Sequence, residues 1–457
     1  MQTLLFLSLC TLVRSADPVA DELISLPGWT DPFRSKRYSG FLKGSDPTRH
    51  IAYYFIESEG DPLTDNVLLW LNGGPGCSSF IGAWLEQGPL TMNGDTTISE
   101  NPGRWNINAN VLFIESPPGV GFSYIDKGVA NLPYTANDTT TAADSLAALA
   151  DFFATYHQFN KSDLWLSGES YSGVYIPWLA RAILQSSQTQ LISQLKGVLV
   201  GNGALKTNDN YEGNLTKQRM QHAYNHGLFS STLKKQIDST CLNFTTPRTS
   251  ACDALLQQQQ DEIGPLNSYD IEVTCLGTPS MQQRALIKSV SKSNISSTTD
   301  LTLNLNPCTA ADTALTAYMN RPDVQTAMHF TAGSAVIGTW GECQDGTVGY
   351  TRIPCDETIE VYPILLQKIA VIIYNGDQDE CIPYLQDEAW TEDMGYPIKS
   401  PWRPWLLDNQ VAGYVVEYDA PIRFTFLTVK NAGHEVPLYQ PLRALAMVQR
   451  VMAGSSL

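Results

Sequence analysis

The sequence predicts an α/β fold built around one large domain with an insertion. Short apolar runs alternate with loops and helix-like patterns up to about residue 205, and strand-rich sequence returns after residue 325. The early apolar runs lie at 51–56, 67–71, 111–114, 164–166 and 197–200. The chain has 457 residues, of which 43% are hydrophobic, and this is enough to form a large core.

A serine-containing turn between a strand and a helix is the most informative local feature. The apolar run that begins at Leu164 enters the turn Gly168-Glu-Ser170-Tyr-Ser172-Gly, and Pro177 suits the first turn of the helix expected next. Such a turn exposes the serine hydroxyl above a sheet and places the next backbone N–H near a developing oxyanion. Because Ser172 replaces the second glycine of G-x-S-x-G, a plain glycine-rich turn is the competing interpretation.

A catalytic serine needs a histidine base, and the base needs an orienting carboxylate. Of six histidines, only His434 lies in a glycine-flanked loop just after a β-rich run, 424–429. Upstream, an apolar strand ends in Asp377 and Asp379, and the ends of strands are where α/β sheets present their chemistry. A lone loop histidine is usually polar surface. Three such residues, each closing a strand in the order serine, aspartate, histidine, favour an α/β-hydrolase triad.

Five motifs together resemble the serine carboxypeptidase family. They are WLNGGPGCSS (70–79), NVLFIESPPGVGFSY (110–124), GESYSGVYIP (168–177), YNGDQD (374–379) and NAGHEVPLYQP (431–441). The resemblance implies an α/β-hydrolase with a mixed, mostly parallel central sheet flanked by helices and a capping insertion. It also implies an enzyme that releases single C-terminal residues from peptides and proteins at acid pH through an acyl-enzyme, without a metal or organic cofactor.

The resemblance assigns a role to each residue of the triad. The nucleophile is Ser170, the general base is His434 and the orienting carboxylate is Asp379. Asp379 is preferred over Asp377 because the resemblance places the catalytic aspartate second in GDQD. The oxyanion hole is expected at the backbone N–H groups of Gly74 and Tyr171, where a glycine lets the backbone approach the substrate closely.

The resemblance also implies a site for the free carboxylate at the end of the peptide. It consists of the Asn72 side chain, the backbone N–H of Gly73 and the carboxyl groups of Glu86 and Glu169. Two acids can bind an anion only if at least one keeps its proton, since neighbouring carboxyl groups cannot all ionise. This site therefore predicts binding in acid. The alternative is that both glutamates are solvated surface charges.

Glu435 follows His434 directly, where some relatives carry methionine. Either it lines the pocket for the leaving residue and attracts Lys or Arg, or it merely caps the loop.

Two other functions stay open. An acyltransferase or esterase is the alternative within the fold, although plant acyltransferases that resemble the family often carry aspartate at the position of Glu169. A binding protein on an inactive hydrolase scaffold is the alternative from another class.

Charge and the N-terminus restrict partners and location. The formal net charge is −17, with 29 Lys and Arg and no basic run, so nucleic acid is not an expected partner. Residues 1–16 predict a signal peptide, and no later run reaches the ~18 apolar residues of a membrane span. A secreted protein and one in a vacuole- or lysosome-like compartment are both open. Five glycosylation sequons fit this route: Asn137, Asn160, Asn214, Asn243 and Asn294.

Nine cysteines become eight if Cys10 leaves with the signal peptide, and eight allow 105 pairings. Disulfides are expected on this route, whereas no CxxC or histidine cluster indicates a metal site. The resemblance implies the pairs Cys77–Cys343, Cys241–Cys252 and Cys275–Cys308, with Cys355–Cys381 as the remainder.

The predicted domain organisation has an insertion between two parts of the catalytic core. Residues 21–205 form the first part, and 326–457 form the second part, which supplies Asp379 and His434. Between them, 206–325 is richer in Gln, Asn, Ser and Thr, and we expect it to cap the site. Monomeric and dimeric states are both compatible with this organisation.

Overall fold

The structure is a computed structural model that describes residues 16–205, 209–242, 244–245, 247–273, 310–343, 346–352 and 357–457. Its strands are β1 Arg37–Lys43, β2 Arg49–Ile56, β3 Val67–Leu71, β4 Leu90–Met92, β5 Ile98–Glu100, β6 Asn110–Ile114, β7 Tyr124–Ile125, β8 Tyr134–Asn137, β9 Leu164–Glu169, β10 Leu195–Gly201, β11 Val348–Thr351, β12 Ala370–Gly376, β13 Ile398–Leu407, β14 Gln410–Tyr418 and β15 Phe424–Val429.

The helices flank these strands and also form most of the described part of the insertion. They are α1 Asp138–Thr155, α2 Ser172–Gln185, α3 Thr189–Gln194, α4 Asp209–Asn225, α5 Ser231–Thr240, α6 Ser250–Ile263, α7 Ala310–Met319, α8 Pro322–Ala327, α9 Thr331–Ile337, α10 Glu357–Leu365, α11 Tyr384–Asp393, α12 Val436–Tyr439 and α13 Pro441–Met452. A π-helical turn spans Gly82–Glu86, and short 3-10 turns span Trp105–Ile107 and His157–Phe159. In the described residues, no helix is both long and apolar enough to cross a membrane.

Within the described ranges, eleven strands form one central sheet in the order β1-β2-β6-β3-β9-β10-β12-β15-β14-β13, with β7 paired to β2. The six strands from β6 to β15 run parallel to their neighbours, and the outer strands pair antiparallel. The predicted α/β-hydrolase fold with a mixed, mostly parallel sheet is confirmed. Its parallel strands end at one edge, where the polar residues of the site follow them.

The inner parallel strands β3, β6, β12 and β15 are buried on both faces, so their sequences are largely apolar instead of alternating. In β3, Val67 and Leu69 face a core that includes α1 and α2, whereas Leu68 and Trp70 face a second core. All four residues have 0% exposure. This packing fixes the register of β3 and therefore the position of the glycine loop that follows it.

The described part of the predicted 206–325 insertion includes a small hydrophobic cluster of its own. Leu233 and Ile237 of α5 are buried against Met220 and Cys252 from the neighbouring helices. In contrast, α7 packs into the main core, because Leu315 and its apolar neighbours at helical spacing face the cluster beside the sheet. The last part of the predicted 206–325 insertion therefore packs with the core beside the central sheet. The predicted signal peptide lies outside the described residues except for Ala16.

Pro177 does not open the helix after the serine turn, as its position had indicated. Helix α2 begins at Ser172, and Pro177 lies inside it. A proline there removes the N–H that would bind the carbonyl of Gly173. The Tyr362 hydroxyl donates to that carbonyl at 3.4 Å, so a partner from a distant part of the chain satisfies it.

Two of the predicted disulfides are present. Cys77 is bonded to Cys343, and Cys241 is bonded to Cys252. The prediction of Cys355–Cys381 is wrong, because Cys381 is a free thiol whose sulfur lies 3.8 Å from a guanidinium nitrogen of Arg219. The remaining predicted cysteines lie outside the described residues: Cys275, Cys308 and Cys355.

The glycosylation sequons differ in their surroundings. Asn137 is half-buried and caps α1, since its side chain accepts a hydrogen bond from the backbone N–H of Thr140. Asn160 is half-buried, and Asn214 is exposed on α4. Asn243 and Asn294 lie outside the described residues. Glycosylation of these positions stays a prediction.

Candidate active site

Ser170 lies in the turn between β9 and α2 with a φ of 58°. This left-handed conformation is strained for a residue with a side chain and is concentrated at functional sites. The turn is held by backbone hydrogen bonds, since Ser170 N donates to Gly201 O at the end of β10 at 3.0 Å and Gly173 N donates to Ser170 O at 2.8 Å. Ser172 is accommodated in the second glycine position because its hydroxyl donates to Leu71 O at 2.7 Å. The sharp strand-to-helix turn is thus formed without a second glycine.

The glycine loop after β3 packs directly against the serine turn. A Cβ on Gly73 would lie 2.4 Å from the backbone nitrogen of Tyr171 and 2.7 Å from Cβ of Ser170. Only glycine therefore fits at residue 73. Gly74, with a φ of 110°, continues this loop. The two predicted oxyanion donors, the N–H groups of Gly74 and Tyr171, belong to segments that are in contact beside Ser170.

Asp379 and His434 form a buried pair. Oδ2 of Asp379 lies 2.6 Å from Nδ1 of His434, and the two residues are 0% and 1% exposed. Contact with a carboxylate places the proton on Nδ1 and leaves Nε2 as the basic nitrogen. Among the described residues, Nε2 has no hydrogen-bond partner. The ring is thus oriented to accept a proton, as a general base requires.

Asp379, and not Asp377, contacts the histidine. The carboxylate of Asp377 instead accepts hydrogen bonds from the backbone N–H of Asn431 at 2.7 Å and from the Gln378 side chain at 2.9 Å. It therefore ties its own loop to the loop that carries His434. The geometry favours the second aspartate of GDQD as the orienting carboxylate.

The negative charges around His434 raise the pKa of its imidazole ring. Burial lowers the pKa of His434, but the Asp379 carboxylate beside it, together with smaller contributions from Glu435 and Glu86, raises the pKa by more. The net pKa lies above the ordinary value of 6.5. A base of this kind is fully neutral only above its raised pKa, so turnover that depends on it should increase with pH.

Asn202, which sequence reasoning missed, links the two halves of the site. Its side chain donates to Oδ2 of Asp379 at 2.8 Å and accepts from the backbone N–H of Gly376 at 2.8 Å. Two residues further on, Ala204 N donates to Ser170 O at 2.8 Å. The loop after β10 thus contacts both the serine turn and the aspartate. Its signal in the sequence was a polar residue between glycines at the end of a buried strand.

Asn72 stands between two buried glutamates. Its Oδ1 accepts hydrogen bonds from the Trp70 indole at 2.7 Å and from Gly82 N at 3.0 Å, which fixes the orientation of the amide. Its Nδ2 then donates to Oε1 of Glu86 at 2.9 Å and to Oε1 of Glu169 at 2.8 Å. The glutamates are 2% and 4% exposed, so the alternative of solvated surface charges is wrong.

Because they are buried, these carboxyl groups keep their protons to a higher pH than exposed carboxyl groups do. Burial raises the pKa of Glu86, although the hydrogen bond from Asn72 opposes the shift. Burial and then the neighbouring carboxyl of Glu86 raise the pKa of Glu169 well above its ordinary value. In acid, the pair therefore offers hydrogen-bond donors next to the serine turn. Such a pair can bind an anion.

Glu435 lies half-buried beside His434, and its side chain does not cap the helix α12 that begins after it. Burial raises the pKa of Glu435 to about 7, and Asp312 adds to the shift. Burial also raises the pKa of Glu342 to about 8, with further contributions from Asp312 and Glu435. Asp312 therefore acts on both glutamates, and Glu435 acts on Glu342, although the three residues come from separate segments.

Tyr269, from the predicted insertion, was also missed. Its ring packs edge-on against the His434 ring, with centroids 4.5 Å apart, and its carbonyl accepts from His434 N at 2.7 Å. No pattern in the sequence distinguished this tyrosine, because its contact depends on how the insertion folds back.

The fold and the site define an α/β-hydrolase with a serine at its strand-to-helix turn and a buried aspartate–histidine pair. A family model described as serine carboxypeptidase matches residues 27–454, and the chain belongs to this family. The resemblance noted from the motifs is thereby confirmed.

Serine carboxypeptidase-like 21 of Arabidopsis thaliana is 32% identical, over 99% of this chain and 98% of that protein. Lysosomal protective protein of Mus musculus is 34% identical, over 96% of this chain and 95% of that protein. The solved structure of the prohormone-processing carboxypeptidase Kex1 of Saccharomyces cerevisiae aligns with a TM-score of 0.71 and 21% identity, over 96% of each chain. This last likeness supports the fold.

Proposed function

We propose that the protein is a serine-type carboxypeptidase that releases single C-terminal residues from peptides and proteins in acid. The observation that carries the proposal is the placement of Asn72 between the buried carboxyl groups of Glu86 and Glu169, beside the serine turn. A general esterase has no need for buried acids at this position. A site for the free carboxylate of a peptide does, because protonated carboxyl groups and an amide N–H are hydrogen-bond donors.

In the proposed reaction, Ser170 attacks the carbonyl of the last peptide bond while Nε2 of His434 takes the proton from its hydroxyl. Asp379 stabilises the resulting imidazolium through its contact with Nδ1. The N–H groups of Gly74 and Tyr171 donate to the oxyanion. His434 then protonates the leaving amine, and the freed residue departs. Water, deprotonated by the same histidine, hydrolyses the acyl-enzyme.

The position of the carboxylate site explains why one residue would leave at a time. The terminal carboxylate would bind to Asn72, the backbone N–H of Gly73, Glu86 and Glu169. Gly73 packs against Ser170, so the anion site and the nucleophile belong to adjoining segments. A substrate anchored by its terminus would present its last peptide bond, since one residue separates that bond from the carboxylate.

We further propose that the leaving residue is preferentially Lys or Arg. Asp312 raises the pKa of both Glu435 and Glu342, and Glu435 also raises the pKa of Glu342, so ionisation of all three would bring like charges together. A basic side chain would offset this repulsion and favour the ionised form of Glu435. The attraction is strong at short range in a desolvated cleft. An apolar leaving residue gains nothing from these groups.

The predicted signal peptide and sequons support a place in the secretory pathway, with export or delivery to a vacuole- or lysosome-like compartment. The raised pKa values of Glu86 and Glu169 suit an acidic lumen, because the carboxyl donors persist there. A relative from Mus musculus carries lysosomal in its name.

Mass spectrometry of a defined peptide tests the proposed activity. A peptide ending in Lys should lose its last residue at about pH 5, and the same peptide with a C-terminal amide should react far more slowly. Ser170→Ala provides the inactive control. Equal rates on the acid and the amide would contradict a carboxypeptidase. Transfer of the acyl group to an added alcohol, with little hydrolysis, would instead support the acyltransferase alternative.

A further inference from the structure

Two side chains of α4, a helix of the insertion, reach the loop that carries Asp379. Nε and Nη2 of Arg219 donate to the carbonyl of Cys381 at 2.8 and 2.5 Å. Nε2 of His222 lies 3.1 Å from the carbonyl of Asp377. The carbonyl of Asp377 lies two residues before Asp379, and the carbonyl of Cys381 lies two residues after it. One helix therefore holds the catalytic loop on both sides of the aspartate.

The His222 contact requires a defined protonation state. A nitrogen that faces a carbonyl oxygen must carry a proton, so Nε2 is the donor. His222 has 0% exposure, and burial lowers its pKa to about 4. It is therefore a neutral ring with the proton on Nε2 over the pH range in which the enzyme is proposed to work. Its contact adds no charge to the site.

The position of the Asp379 carboxylate depends on the backbone of this loop. Its Oδ1 accepts from the N–H of Cys381 at 2.7 Å, and its Oδ2 accepts from the N–H of Ile382 at 3.2 Å. Its contact with His434 is 2.6 Å long, so a small displacement of the loop would lengthen it. Movement of the carbonyls held by Arg219 and His222 therefore moves the carboxylate.

A second segment of the insertion supports the same arrangement. The carbonyl of Ser268 accepts from the N–H of Glu380 at 2.9 Å and from the N–H of Cys381 at 3.0 Å. The next carbonyl, that of Tyr269, accepts from the N–H of His434 at 2.7 Å. The segment thus lies between the aspartate loop and the histidine loop and bonds to both.

We propose that Arg219 and His222 are positioning residues for the Asp379–His434 pair, so that the insertion contributes to turnover as well as covering the site. The inference rests on the proposed function, because it assigns Asp379 and His434 their catalytic roles. Misplacement of reacting groups by about 1 Å can cost on the order of 100-fold in rate. We therefore expect a loss of about 10- to 100-fold in kcat when either donor is removed, with KM changed by less than about two-fold.

Matched pairs of variants distinguish the loss of a hydrogen-bond donor from a change in side-chain packing. His222→Gln places an amide nitrogen near the position of Nε2 and should retain most activity, whereas His222→Asn is too short to reach the carbonyl and should lose it. Arg219→Lys keeps the charge and a donor, whereas Arg219→Met keeps only the bulk. Arg248→Met is the control, since Arg248 is another arginine of the insertion that donates to a backbone carbonyl, that of Phe244.

The pH profile provides a readout that general destabilisation does not move. Asp379, Glu435 and Glu86 are the carboxyl groups that raise the pKa of His434. If His222→Asn loosens the Asp379 contact, the acid limb of kcat/KM should move to lower pH. Arg219→Met also removes a positive charge near Asp379, which acts in the opposite direction, so the His222 pair is used for this readout.

The rate of Ser170 labelling by an organophosphate is measured on the same variants. It depends on the triad but not on peptide recognition. Slow labelling in His222→Asn and Arg219→Met, with recovery in His222→Gln and Arg219→Lys, is the expected result. Wild-type labelling rates and an unshifted acid limb in His222→Asn would overturn the inference. A wild-type protein that is labelled but releases no C-terminal residue would contradict the proposed function alone.

Discussion

Asn202 donates its side-chain amide to Oδ2 of Asp379 at 2.8 Å, and this is the same carboxylate oxygen that contacts His434. Asn202 has 0% exposure and a φ of 40°. An asparagine tolerates this backbone conformation better than most residues, and its amide supplies a donor at the same time. The residue thus combines a tight turn with a hydrogen bond that helps to position the Asp379 carboxylate against His434.

Replacing Asn202 with glycine should reduce kcat by about 10-fold or more, because Asp379 loses a donor that fixes its position. Glycine keeps the positive φ without strain. The matched control is Asn409→Gly, since Asn409 has a φ of 60° in the turn between β13 and β14. Steady-state kinetics on a chromogenic ester checks the effect. Equal activity of the two variants would show that Asn202 serves the turn alone.

Ser170→Ala should reduce activity but not stability, whereas Ser172→Ala should reduce stability more than activity. The first removes the proposed nucleophile, so kcat should fall by several orders of magnitude with little change in stability, since triad members act as a unit. The second removes a hydroxyl that donates to Leu71 O in the buried turn. It should lower the free energy of unfolding by about 1 kcal/mol and affect kcat far less.

Kinetics and urea denaturation of both variants are the measurements. Near-normal turnover in Ser170→Ala would remove this serine from the mechanism.

The motif residues were predictable because their chemistry is encoded in short segments. Ser170, Asp379 and His434 each follow a strand, and parallel strands bring their ends to one edge of the sheet. Asn202 follows a strand in the same way, but no motif assigned it a partner. Tyr269 lies in the predicted 206–325 insertion, and its contact with His434 depends on tertiary packing.

Two errors in the predictions had the same origin. Pro177 was expected to start a helix, but the Tyr362 hydroxyl, 189 residues away, satisfies the carbonyl that the proline leaves without its helical donor. Cys381 was paired by elimination, yet it lies free beside Arg219. Neither long-range partner is visible in the local sequence. Local patterns predicted the elements and the pairing of Asp379 with His434, whereas the other contacts between distant segments had to come from the structure.

The protein should be more stable in acid than at pH 8. Burial raises the pKa of Glu86 and Glu342 to about 8 and the pKa of Glu115 and Asp387 to about 7. Unfolded carboxyl groups have a pKa of about 4, so between that pH and the raised pKa values the folded state binds more protons than the unfolded state. The free energy of unfolding therefore falls as pH rises through this range. His434, with its raised pKa, acts in the same direction.

Calorimetry at pH 5 and pH 8, at matched ionic strength, measures this difference in Tm. Glu342→Gln removes one of the titrating groups and should narrow the gap between the two values. A Tm that is equal or higher at pH 8 in the wild type would contradict the expectation.

Glu435→Met should shift preference from basic to apolar leaving residues. The carboxylate can pair with Lys or Arg in a partly desolvated pocket, and methionine offers only apolar contact. The ratio of kcat/KM for peptides ending in Lys and in Leu should fall by about 10-fold or more, which corresponds to ~1.4 kcal/mol. In Glu435→Gln, which keeps the shape of the side chain but removes its charge, the same ratio should fall almost as far. An unchanged ratio in both variants would place Glu435 outside the pocket.

The pH dependence of KM tests the carboxyl pair directly. Burial raises the pKa of Glu169, and the nearby carboxyl of Glu86 raises it further, so the pair keeps a proton in acid. Loss of that proton at higher pH removes a donor and adds a negative charge against the substrate carboxylate. KM for a peptide acid should therefore rise with pH. KM for the corresponding amide should stay flatter, because the amide carries no anion.

Glu169→Gln keeps a hydrogen-bond donor at this position but removes the group that titrates. The glutamine amide is a permanent donor, so KM for the peptide acid should vary less with pH than in the wild type. Its value in acid should rise moderately, because Asn72 Nδ2 donates to both glutamates and their contacts are coupled. The kcat profile should keep its acid limb, since His434 is unchanged. If wild-type KM values for the acid and the amide ran parallel across this pH range, Glu86 and Glu169 would have no part in recognising the C-terminus.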